Sequence, residues 1–126
     1  MSSTTETDVD LILATNFTLS KHLWNWATKN KKRFIYASSA ATYGNGDAGF
    51  DDDNSIDALI KLKPLNAYGW SKHLFDQFVT TATSNHADKM PSQWVGLKFF
   101  NVYGPNEYHK AEQRSVVNQI YPHAKY

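Results

Sequence analysis

Arg33-Phe34-Ile35-Tyr36-Ala37-Ser38 is short, rich in β-formers and mostly apolar, and it reads as a buried strand. A second run of the same kind, Trp94-Val95-Gly96-Leu97-Lys98-Phe99-Phe100, follows Pro91. Between them the spacing predicts a helix from about Ala67 to Ser84, with Trp70, Leu74, Phe75, Phe78 and Val79 on its buried side. Upstream, from Asp8 to about Asn30, Ile12, Leu19, Leu23, Trp26 and Ala27 share one face of a helix, which the cations Lys29, Lys31 and Lys32 close. Gly44 to Pro64 holds three glycines and five aspartates and reads as a long loop with one helical turn at Ile56 to Leu62. Asn101 to Gln113 reads as loop, and Ser115 to Tyr121 opens another helix. Strands separated by helices imply an α/β fold, a parallel sheet with helices on its faces. Ligands bind such sheets outside the carboxyl ends of the strands, where Ser38 to Tyr43 and Asn101 to Gly104 would meet.

The chain has 126 residues, 41% of them hydrophobic, which suits one domain of ordinary size. Its 13 basic and 12 acidic side chains leave a net charge of +1, no excess with which to neutralise a nucleic acid. No run approaches the roughly eighteen apolar residues of a membrane span, and the first ten residues lack the pattern of a secretion signal. Cysteine is absent, which removes disulfides and thiolate chemistry. A cytoplasmic location is the expectation.

Gly44-Asn45-Gly46-Asp47-Ala48-Gly49 formally matches a dinucleotide-binding pattern. That mechanism needs the glycines to open a helix whose N-terminus faces phosphate, yet here they lead into Asp51-Asp52-Asp53, which would repel it. The segment reads as a turn. Asn16-Phe17-Thr18 matches a glycosylation acceptor but falls inside a predicted helix. The five histidines show no metal-ligand spacing, and no metal is expected.

Tyr68 and Lys72 stand four residues apart on a helix and so project from one face. A phenol titrates near pH 10, and a neighbouring ammonium brings it toward neutrality, where it can exchange a proton with an alcohol. Ser38-Ser39-Ala40-Ala41-Thr42-Tyr43-Gly44, at the end of the first strand, offers hydroxyls to the same alcohol.

Three ordered motifs, Ser38 to Gly44, Pro64-Leu65-Asn66-Ala67-Tyr68-Gly69-Trp70-Ser71-Lys72, and Phe99-Phe100-Asn101-Val102-Tyr103-Gly104-Pro105, together resemble the extended short-chain dehydrogenase/reductase family. The resemblance implies a partial Rossmann-type parallel sheet with flanking helices and a nucleotide-sugar epimerase, dehydratase or reductase using NADP or NAD. Within that family, Asn106-Glu107-Tyr108-His109-Lys110 and the opening Ser2-Ser3-Thr4-Thr5-Glu6 are similar to epimerases that invert C6 of an ADP-heptose for lipopolysaccharide synthesis. The implied partners are a nucleotide-diphosphate sugar and further copies of the complete protein.

By the resemblance, Tyr68 is the catalytic tyrosine, Lys72 its partner and a contact of the nicotinamide ribose, and Ser39 the hydroxyl that polarises the substrate oxygen, with Ser38 beside it. Asn101 is a substrate contact, and the backbone of Val102 touches the nicotinamide. Ser2 and Asn16 lie where the chain passes the cofactor. Lys110 is a second proton-transfer group that also meets the cofactor. The family's opening strand with its Gly-rich loop, and its closing substrate-binding part, have no counterpart here, so residues 1–126 are expected to be the central part of a longer chain. Two alternatives stay open: another nucleotide-sugar enzyme such as a UDP-hexose 4-epimerase, or a non-catalytic truncated remnant. A dehydratase is disfavoured because Ala40 stands where a carboxylate would drive elimination.

Overall fold

The computed structural model describes residues 6–85 and 90–124. The chain runs α1 (Val9–Ile12), a π-helical turn (Leu13–Thr18), α2 (Leu19–Lys29), β1 (Arg33–Ser39), a 3-10 turn (Ala40–Tyr43), α3 (Ile56–Leu59), α4 (Ala67–Asn85), β2 (Gln93–Phe99), a 3-10 segment (Tyr108–Gln113) and α5 (Val116–Ile120). Strands β1 and β2 pair in parallel, Arg33 with Gln93 through Ser39 with Phe99, and α4 lies between them in the chain. The α/β architecture expected from the alternation is therefore present.

Paired residues of a parallel ladder point to the same side. Phe34, Tyr36 and Ser38 share a face with Trp94, Gly96 and Lys98, and α2 and α4 cover it. Trp24 anchors this core at 1% exposure, edge-on to Phe34, Phe75, Phe78 and Trp94 with centroids 5.5–6.4 Å away. Gly96 matters here, since a Cβ would overlap the Tyr36 ring that lies across it. A second cluster of Tyr43, Leu59 and Leu62 packs the loop segment beyond β1.

Three expectations are corrected. Leu19, Leu23 and Trp26 are 48–58% exposed, and Trp24 takes their place in the core beside Ile12 and Ala27, which are buried as expected. The π turn is the cause. It winds more residues per turn than an α-helix, so positions after Thr18 are rotated by about 100° relative to a straight helix starting at Ile12. Trp70 is also exposed, because α4 turns Ser71, Phe75 and Val79 inward instead. Finally, the strands are covered on one face only: Ile35, Val95, Leu97 and Phe99 remain exposed on the other. Among the described residues no helix is long and apolar enough to cross a membrane.

The two tryptophans of α2 give a direct test of the rotated face. Trp24→Ala should cost about 3–5 kcal/mol in urea denaturation, whereas Trp26→Ala should change stability by no more than about 0.5 kcal/mol.

Candidate functional site

Helix α4 can carry Tyr68 to the end of β1 only if its first turn packs closely on the chain leaving that strand. Gly69 permits this. A Cβ at this position would stand 2.8 Å from the Ala41 carbonyl oxygen and 3.0 Å from Pro64 Cβ, so helix and 3-10 turn touch through backbone. Gly44 closes the other end of the turn in the left-handed region (φ 62°), where a side chain would overlap the Lys63 carbonyl. Asn66 caps α4 by accepting the Gly69 amide at 2.8 Å, which fixes where Tyr68 emerges.

Ser39 ends β1 and caps the 3-10 turn, its hydroxyl accepting the Ala41 amide at 3.2 Å. A hydroxyl that accepts one bond keeps its own proton to donate. Ser38, its neighbour on the opposite face, is 3% exposed and donates to Asp76 Oδ2 at 2.7 Å. Lys72 lies one turn beyond Tyr68, its Nζ 5.9 Å from the phenol ring centroid. Burial draws the Lys72 ammonium below its ordinary pKa, and Asp76 opposes that shift.

Across the strand ends, the loop after β2 is closed by one carboxylate. Glu107 is 5% exposed and accepts from the Gly104 amide (2.9 Å), the Ser115 amide (2.8 Å) and the Ser115 hydroxyl (2.9 Å). The amides of Ser115 and Gly104, by hydrogen-bonding its charged form, hold Glu107 below the usual carboxylate pKa. Lys110 sits on this closed loop, its Nζ 3.9 Å from Glu107 Oε2.

These pieces enclose a cleft of about 850 Å³ at the carboxyl ends of the strands. Ser38, Ser39, Tyr68, Asn101, Val102 and Lys110 all line it. Asn16 does not: it is 4% exposed and donates to the Ser71 hydroxyl at 3.1 Å, so it props α4 from behind. Ser2 lies outside the described residues. The glycine segment behaves as a turn, its Gly46 and Gly49 amides bonded to the carbonyls of Tyr43 and Gly46.

Sequence reasoning missed Gly69, Asp76, Lys98 and Glu107. Two of them carried a signal: Asp76 shares the helix face of Tyr68 and Lys72 by spacing, and Lys98 interrupts an apolar strand. Glu107 carried none, since its partners are loop amides.

Residues 2–125 match the NAD dependent epimerase/dehydratase family. The chain belongs to that family. It is 50% identical over 120 residues to the ADP-L-glycero-D-manno-heptose-6-epimerase of Fusobacterium nucleatum, covering 95% of this chain and 35% of the relative. The protein of the same name from Nitratidesulfovibrio vulgaris is 48% identical over the same shares. The crystal structure of the Helicobacter pylori ADP-L-glycero-D-manno-heptose-6-epimerase superposes with a TM-score of 0.69 at 35% identity, covering 94% of this chain and 34% of that one. The chain thus spans about a third of the length of these family members. Family membership implies a nicotinamide dinucleotide cofactor.

Two outcomes test the geometry. Ala in place of Gly ordinarily stabilises a helix, but Gly69→Ala should destabilise by about 1 kcal/mol or more in thermal unfolding, because the obstructing atom is backbone. For the loop, a carboxylate with a depressed pKa contributes stability above its unfolded value and loses it as pH falls through the folded one. Hydrogen-exchange protection of the Gly104 and Ser115 amides should therefore hold at neutral pH and disappear below the ordinary glutamate value of 4.5. Glu107→Gln should weaken that protection at neutral pH and remove its dependence on pH.

Proposed function

We propose that this chain is the central part of the nucleotide-binding domain of a cytoplasmic epimerase that inverts C6 of ADP-D-glycero-D-manno-heptose with NADP, supplying a lipopolysaccharide core sugar. The observation that carries this reading is the convergence of Tyr68, Ser39 and Lys110 on one cleft, with Lys72 behind the phenol. Relatives 48–50% identical over 95% of this chain bear the name of that activity.

The residues fit the nicotinamide end of such a cofactor. The cleft lies at the strand ends, Val102 is 64% exposed on its wall, and the Ser39 hydroxyl is free to donate into it. The Gly44 to Gly49 segment is not a comparable holder for the pyrophosphate, since its Gly44, Gly46 and Gly49 amides are bonded within turns. When bound, a nicotinamide would supply the hydride acceptor and donor for C6. The chain's own groups do the rest. Ser39 donates to the sugar oxygen and aligns it. Tyr68 takes the carbinol proton, with the Lys72 ammonium favouring the phenolate. Lys110, presented by the Glu107-closed loop, handles the proton when the carbonyl has turned, because each face needs its own donor. Asn101 holds the sugar.

The test is made in the full-length protein carrying this segment, with ADP-heptose as substrate. Tyr68→Phe and Lys110→Met should each lower kcat by about 10²-fold or more while NADP still binds, as read by cofactor fluorescence. A Lys110→Met variant whose KM rises with kcat intact would reduce Lys110 to a phosphate contact and overturn the two-donor mechanism.

A further inference from the structure

The one carboxylate of α4 that faces the sheet gathers both strands. Asp76 is 5% exposed; its Oδ1 accepts the Tyr36 hydroxyl of β1 at 3.0 Å, and its Oδ2 accepts Ser38 at 2.7 Å and Lys98 Nζ of β2 at 2.6 Å. Lys98 also donates to Thr42 Oγ1 at 2.8 Å, and that hydroxyl donates to the Ser39 carbonyl at 2.8 Å. An unbroken chain of bonds thus runs from the helix of Tyr68 to the backbone of Ser39. Asp76 also takes the Ser38 proton, so of the two adjacent serines Ser39 alone keeps one for a ligand.

We propose that Asp76 is a positioning residue of the site: it sets Ser39 against Tyr68 through Lys98 and Thr42, and it places a carboxylate one helical turn from the Lys72 ammonium. This rests on the reading of Tyr68 and Lys72 as the reacting pair. The charge argument follows from place. Lys72 is partly buried, which disfavours its ammonium, and the Asp76 carboxylate offsets part of that effect. The titratable groups around Asp76 are Tyr36 of β1, Tyr43 of the 3-10 turn, Lys98 of β2, and Lys72 and His73 of α4, with Asp52 lining the same small cavity. An ion pair that merely stabilised the fold would lower activity equally at every pH.

The deciding variant in the full-length protein is Asp76→Asn, which removes the carboxylate at nearly constant shape while Lys98, 20% exposed at its side chain, keeps contact with water. With folding verified by circular dichroism, kcat at neutral pH should fall about tenfold to a hundredfold, and the alkaline limb of its pH profile should move to lower pH. A second readout needs no turnover. The ¹³C signal of reductively methylated Lys72, assigned through Lys72→Arg, should titrate at lower pH than in the wild type, and Asp76→Glu should bring it back. A folded Asp76→Asn variant with unmoved Lys72 titration overturns the proposal, whatever its kcat. Should Asp76→Asn not fold, Lys98→Met alone decides: freeing Asp76 from its partner should move the Lys72 titration upward, and no movement overturns the proposal. Failure of the wild type to epimerise ADP-heptose would sink the functional reading, yet the Lys72 titration would still decide the role of Asp76.

Discussion

A missing side chain at Gly69 is the constraint on which the rest of the site depends. Because nothing projects there, the first turn of α4 rests directly on the Ala41 carbonyl, and Tyr68 stands beside the strand end that carries Ser39. Every other device works inside that contact. Asn66 caps the helix, Gly44 folds the turn back against Lys63, and Asp76 bonds the helix to both strands. Lengthening the contact by one methyl group would move the phenol away from the Ser39 end of the cleft. Proton transfer tolerates very little such displacement.

The outline of the fold was legible in the sequence because its signals are local. Strand β1 is a run of β-formers followed by small hydroxyl residues, and α4 shows its period over 19 residues. Their observed limits lie within a residue or two of the expected ones. The face of the first helix was not legible, since the π turn at Leu13–Thr18 depends on tertiary demand. There Thr15 donates to the Leu11 carbonyl at 2.7 Å, and Asn16 turns inward to reach Ser71. A periodic pattern read across such a turn loses phase, which is why Trp26 looked buried and Trp24 did not.

The candidate site divides in the same way. Tyr68 and Lys72 show themselves by spacing on one helix, and Ser39 by its place at a strand end. Asp76, Lys98 and Glu107 act through partners between 3 and 56 residues away, and spacing cannot register such pairs. The distinction between Ser38 and Ser39 was also hidden. Alternation along the strand sends the first toward Asp76 and leaves the second at the cleft, a difference decided by what lies on each side of the sheet.

The closed loop from Gly104 to Ser115 has a consequence for how the site can diverge. All the bonds to the Glu107 carboxylate come from within that loop, whereas Tyr68 and Ser39 are held by the core. The two sides of the cleft therefore rest on separate foundations. Substitutions in the loop can reshape what Lys110 and His109 present to the cleft while the tyrosine–serine side keeps its geometry. Such a molecule can change one wall of its cleft without disturbing the other.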